Sequence, residues 1–209
     1  SELARDNAEA PDPRDDPDTA LLAWLEFEEA LFRRLERAYL GSRIRAGFLE
    51  DGEPDVDAFV STALSVLNRR KSRMGLSLEN HVEAAVRAWG LRYERGAQTE
   101  GRSKPDFLFP GAAEYHDPAF DAGLLAMLGV KSTLKDRWRQ VLAEAARIDE
   151  KHLLTLQPGI SDNQMTEMKR HRLRLVVPVA LHGAYGPAAT GWLMPFRAFL
   201  DLVRRRQGA

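Results

Sequence analysis

Short apolar runs separated by helical stretches fill the second half of the chain, and they restrict it to the α/β class. Runs at about 91–95, 106–109, 124–132, 152–157 and 173–178 are β-prone and are expected as strands. Between and after them, 137–149, 162–170 and 194–206 have helical spacing. Leu173-Arg174-Leu175-Val176-Val177-Pro178 is an expected buried strand stopped by proline. Alternation of this kind predicts a mixed β-sheet with helices on both faces. The first half is expected to be helical: 19–40 opened by Asp18 or Thr19, about 56–68 after a turn at 52–54, and 77–89 opened by Ser77. The expected division is therefore 19–90, mainly helical, and 91–209, the α/β core.

Residues 1–18 differ in composition. They hold seven acids against Arg5 and Arg14, three prolines and no aromatic residue, and are expected to form an acidic disordered tail or linker. Their net charge of −5 masks the rest of the chain, which stands at +4 although the total is −1. A mildly basic body with clustered cations keeps nucleic acid among the possible partners. The absence of cysteine excludes thiolate metal sites and disulfides and fits a cytoplasmic protein. No apolar run reaches the roughly 18 residues of a membrane span, so no membrane association is expected.

Three polar residues on the expected core elements call for explanation. Asp106 stands at the head of the run Phe107-Leu108-Phe109, either as a turn residue capping the strand or as a ligand. Lys131 ends the run Leu128-Gly129-Val130, either snorkelling to solvent or facing Asp106 across the sheet end. Glu144 lies near the inner stripe of a helix formed by Trp138, Val141, Leu142 and Ala145, with Arg147 as an alternative surface partner. Together the three supply what phosphodiester hydrolysis requires: hard oxygen ligands for Mg²⁺ from Asp106, Glu144 and the Val130 carbonyl, and a cation at the phosphate from Lys131.

This arrangement resembles the PD-(D/E)xK nuclease superfamily, with Asp106 as its strand aspartate and Lys131 as its lysine. The usual acid two residues before the lysine is replaced by Gly129. A branch of restriction enzymes carries that acid on the following helix, with 12 residues between lysine and glutamate, and residues 132–143 number 12. The stretches Asn68 to Arg73, Ser77 to His81, Thr99-Glu100-Gly101, Pro105 to Pro110, Gly129 to Gln140 and Leu153 to Gln157 narrow the likeness to the catalytic C-terminal domain of the EcoRII-type restriction endonucleases.

The resemblance implies a restriction-endonuclease-like fold and a type II site-specific deoxyribonuclease. Such an enzyme acts on double-stranded DNA as a homodimer and cuts a short palindromic CC/GG-containing site, with the central bases flipped out. It implies a cognate DNA methyltransferase in the same system. By the same resemblance Lys135, Asp136 and Arg137 read bases; on their own chemistry they are equally a helix start with Asp136 as cap. Arg69, Arg70, Lys71 and Arg73, expected at a helix end before Gly75, become phosphate contacts in place of a solvated face. Glu79 and Tyr115 become active-site residues, against surface and core alternatives. Other targets of the same fold remain open: methylation-dependent or repair cutting, or DNA binding without catalysis. The acidic segment stands where the family's linker to an N-terminal effector domain would lie, unless the chain is a naturally short form.

Overall fold

The computed structural model describes residues 1–135 and 137–208. Its centre is a five-stranded sheet in the order β3 (Glu94–Arg95), β4 (Phe107–Phe109), β5 (Ala126–Val130), β6 (Lys151–Leu154) and β7 (Leu173–Val176). The first three strands run antiparallel and the last three parallel, so the sheet is mixed, as expected. All five expected strand regions contain one strand, each shorter than the apolar run that signalled it.

Strand parity divides the core in two. Phe107, Phe109, Ala126, Leu128, Val130, Leu154 and Val176 face a layer built from α2 (Pro17–Ala46), α3 (Val56–Ala88) and α7 (Phe196–Gln207). Leu108, Met127, Leu153, Leu173 and Leu175 face the opposite layer, α5 (Trp138–Leu142) and α6 (Asp162–Arg170). Period-2 alternation thus sends successive side chains into separate apolar layers. A short helix, α4 (Ala112–His116), follows β4.

The helical half differs from expectation in two places. The helices expected at 56–68 and 77–89 are one 33-residue helix, α3, joined to α2 by the small ribbon β1 (Leu49–Glu50) and β2 (Glu53–Pro54). Gly75 therefore lies inside a helix, and the cations at 69–73 are mid-helix residues. A glycine there costs about 1 kcal/mol against alanine, and burial of Val66, Leu78, Val82, Ala85 and Val86 offsets it.

The second difference is the acidic segment 1–18. In place of a loose tail it carries α1 (Glu2–Asn7), with Ala4 fully buried, and Trp89 Nε1 donates to the Pro13 carbonyl at 2.7 Å. Its acids are spent on backbone amides. Asp16 caps α2, which starts at Pro17 and not at Thr19, by accepting from Thr19 N. Asp18 is buried and accepts from the amides of Val179, Phe196 and Arg197 at 3.1, 3.0 and 2.8 Å, so it caps α7, whose own N-cap Pro195 has no side chain to do so.

Two measurements test these packing arguments. A Cβ on Gly75 meets nothing within 4 Å, so Gly75→Ala should raise stability by about 0.5–1 kcal/mol in denaturant unfolding; a lower midpoint would contradict the helix assignment. His152 on β6 is fully buried, neither ring nitrogen has a hydrogen-bond partner, and Glu150 stands too far away at 3.8 Å. Burial holds its pKa down at about 3. The unfolded chain takes up a proton near pH 6.5 that the folded chain refuses, so stability falls as pH drops from about 6.5 towards 3, by up to about 1.4 kcal/mol per unit. His152→Leu should flatten that acid limb, and an unchanged slope would show that another group carries it.

Candidate active site

The pairing Phe107↔Leu128 puts Asp106, one residue before β4, level with Gly129 on β5. Strand alternation then turns Asp106, Gly129 and Lys131 to the α5 side of the sheet, at the end where β5 finishes. The Asp106 carboxylate spans the gap between the strands. Its Oδ2 accepts from the Val130 amide at 2.5 Å and from Lys131 Nζ at 2.6 Å, with both side chains largely shielded from solvent. Lys131 N donates to Leu154 O in the parallel ladder, so the Val130 carbonyl of the same peptide points the other way, towards β4 and Asp106.

Gly129 explains why the second acid is not on the strand. A Cβ there would stand 3.1 Å from Val141 Cγ2 and 3.3 Å from Leu153 Cδ1, because α5 packs directly onto β5. A carboxylate at that position would require Val141 and Leu153 to give way. Glu144 comes instead from the turn that follows α5, where its amide donates to Val141 O; the expected helix 137–149 is only five residues long. The next residue, Ala145, is buried and adopts φ +50°, a left-handed conformation that an L side chain seldom takes. That reversal is what ends the helix.

Among the described residues Glu144 is the acid whose pKa is clearly raised. Burial, with the Asp106 charge adding to it, raises its pKa to about 7, while Lys131 and Lys151 pull it back. Its Oε2 is buried and has no hydrogen-bond partner. A buried carboxylate with an orphaned oxygen, its pKa raised further by the charge of a neighbouring carboxylate, belongs to a donor set suited to a hard divalent cation. Among the described residues no cluster of three or more acids or histidines forms a metal cage. Asp106, Glu144 and the Val130 carbonyl could hold such a cation, a small set of the kind Mg²⁺ accepts, since it keeps several waters.

The other expected residues fall in different places. Glu79, on α3, is ion-paired at 2.7 Å with Arg95, whose guanidinium also reaches Asn80 and Glu83 and lies over the Phe107 ring. Arg95 pairs in register with Phe107, so Glu79 is tethered one residue from Asp106. Tyr115 is buried on α4, and its hydroxyl donates to Glu100 and accepts from the Arg147 amide, not from either candidate ligand. Burial and the Glu100 carboxylate raise its pKa to about 12, so it is a neutral donor at ordinary pH. Lys135 and Arg137 are exposed on the turn between Lys131 and α5, and Asp136 lies outside the described residues. Of the cations on α3, Arg70 is paired with Glu36, Arg69 stacks over Tyr39 and Arg73 over Phe32.

Several supporting residues carried no sequence signal of their own role. Gln157 accepts from Leu134 N at 2.8 Å and anchors the turn that bears Lys135 and Arg137. Lys151, buried at the start of β6, donates to the carbonyls of Ala145 and Ile148 behind Glu144. Both act on backbone groups, 23 residues away for Gln157 and three and six away for Lys151, and nothing in local composition marks such contacts.

Comparison with known proteins agrees with this geometry. The family described as EcoRII C terminal matches residues 32–200. The type II restriction enzyme EcoRII of Escherichia coli is 47% identical over 186 residues, covering 88% of this chain and 45% of that enzyme, so the chain spans less than half of its relative's length. Among solved structures, metal-depleted Ecl18kI in complex with uncleaved DNA has a TM-score of 0.78 at 19% identity, covering 98% of this chain and 74% of the other. The restriction endonuclease PspGI in complex with substrate DNA has a TM-score of 0.70 at 15% identity, covering 99% and 87%. These likenesses show a restriction-endonuclease fold. With the family match extending over most of its length, the chain belongs to the EcoRII C-terminal family.

Proposed function

We propose that the chain is a Mg²⁺-dependent type II restriction endonuclease that hydrolyses both strands of a short palindromic CC/GG-containing duplex. The observation that carries this reading is the coupling of Asp106, Lys131 and Glu144 at one end of the sheet. Family membership and the 47% identity to a type II restriction enzyme support it further.

Asp106 and Glu144 would hold the cation, with the Val130 carbonyl as a third oxygen. Bound there, Mg²⁺ supplies Lewis-acid polarisation of the phosphate and lowers the pKa of a coordinated water. Lys131 keeps one Asp106 oxygen fixed and puts positive charge where the scissile phosphate gathers negative charge. In-line attack then leaves a 5′ phosphate on one fragment and a 3′ hydroxyl on the other.

Sequence reading is assigned to the turn before α5. Lys and Arg donate to guanine O6 and N7, and Asp accepts from cytosine N4, so Lys135, Asp136 and Arg137 match adjacent G and C edges in the major groove. Arg69, Arg70, Lys71 and Arg73 are assigned to phosphates. A palindrome requires one active site per strand and hence a two-fold homodimer. The exposed apolar residues Leu35, Tyr39, Phe59, Leu64 and Leu67 on α2 and α3 favour that face as the contact. Flipping of the central bases and a cognate methyltransferase that protects host sites complete the reading. Among the described residues no helix is long and apolar enough to cross a membrane.

The reading is tested by incubating the protein with a random-sequence duplex pool and Mg²⁺ and sequencing the ends. Recurrent ends at one palindrome are expected, and Asp106→Asn should slow cutting by at least about a thousandfold, on the order of 4 kcal/mol, while still binding DNA. Normal cutting by this variant would remove Asp106 from the site.

Variants at the two sets of cations should behave differently. Arg137→Ala should cost about 1–3 kcal/mol and relax the preference at one position of the site. Lys71→Ala should weaken all sequences alike and reduce the salt slope by about one. Equal effects of both on specificity would refute the division between base and phosphate contacts.

A further inference from the structure

Glu144 is held by a turn, not by a strand, and the turn that holds it is itself unfavourable. Ala145 sits at φ +50°, and conformations of this kind persist only where surrounding contacts over-determine them. The contacts are present. The Ala145 amide donates to Thr99 Oγ1 at 3.4 Å, and the Ala146 amide to Glu100 Oε2 at 3.1 Å. The Arg147 amide donates to the Tyr115 hydroxyl at 3.2 Å, and that hydroxyl in turn donates to Glu100. Three consecutive amides directly after Glu144 are thus claimed by three side chains of other segments.

Two of those side chains come from the connection between β3 and β4. Thr99 N donates to Ser103 O, Ser103 N to Glu100 O, and Asp106 begins the strand three residues later. The connection that delivers Asp106 therefore also grips the turn that delivers Glu144. Thr99 and Tyr115 are buried, whereas Glu100 is exposed beside an open cleft of about 270 Å³ lined by Thr99, Tyr115, His116, Pro118 and Arg147.

We propose that Glu100, acting with Thr99 and Tyr115, is a positioning residue that sets the distance between the Asp106 and Glu144 carboxylates and so the affinity of the site for its divalent cation. The proposal rests on the metal-dependent nuclease reading given above. A ligand on a strand would need no such clamp, because the ladder fixes it. With Gly129 in place of an acid on β5, the rigidity of the second ligand is supplied by side chains of the β3–β4 connection. Partners behind a ligand of this kind are typically worth about 10–100-fold in metal affinity or activity.

The test uses the full chain with Mn²⁺ as probe ion, its binding followed by electron paramagnetic resonance in the presence of a duplex that the protein cleaves. Glu100→Ala should bind Mn²⁺ about 10–100-fold more weakly and need correspondingly more Mg²⁺ for half-maximal cutting. Its DNA affinity in EDTA should be unchanged. Because Glu100 borders solvent, its removal leaves a hydrated gap and not a dry void, and the variant is expected to fold. Glu100→Gln, which keeps an oxygen for the Ala146 amide, should fall between the two and provides the same readout should the alanine variant not fold. Thr99→Ser, which keeps the hydroxyl, should remain close to the parent. Parent-like Mn²⁺ affinity in both Glu100 variants would overturn the clamp alone. Absence of Mn²⁺ binding by the parent protein would overturn the metal reading and the clamp with it.

Discussion

One carboxylate oxygen joins the two halves of the reactive edge. Oδ2 of Asp106 accepts both the Val130 amide and the Lys131 ammonium, so it closes the end of the β4–β5 pair and fixes the lysine in the same contact. A charged acid so shielded is tolerable because a cation and an amide answer it. Glu144 has no such answer. It stands in the field of Asp106 with one oxygen unbonded, and its raised pKa measures that discomfort. A divalent cation held by both carboxylates would answer the two charges, and this supports the proposed reading of the pair as a binding site.

The distribution of acids follows from how tightly the layers pack. α5 lies so close to β5 that a side chain at position 129 would press on Val141 and Leu153, and this close approach lets Trp138 and Val141 fill the lower core. The second acid then has to come from beyond the helix, at the cost of a left-handed residue and a set of side chains to hold it. Catalytic geometry and core packing are in competition here, and the displaced glutamate is the settlement.

Much of this was legible in the sequence, for physical reasons. Phe107 to Phe109 and Leu173 to Val177 announced strands because both faces of the sheet are covered, leaving runs with few polar residues. The acid, lysine and displaced acid were visible as polar residues on apolar elements, and the spacing from Lys131 to Glu144 linked them. The failures also had causes. Gly75 suggested a break, but packing of α3 outweighs a penalty of about 1 kcal/mol. The acids of 1–18 suggested a solvated tail, yet Asp16 and Asp18 serve as caps, a role that depends on amides as distant as Phe196. Tyr115 lies beside the turn that bears Glu144, and its contacts lead to Glu100 and Arg147 and not to Asp106 or Glu144. Contacts of that kind, between side chain and remote backbone, leave no periodic trace.

The bond network of Asp18 bears on where the chain can be shortened. A boundary drawn between residues 18 and 19 on composition alone would discard the acceptor for the Val179 amide after β7 and for two amides at the start of the closing helix, one of them at the fully buried Phe196. Those amides would be left without a partner inside the protein. Through Asp18 the acidic stretch is a latch that ties the start of α2 to the start of α7.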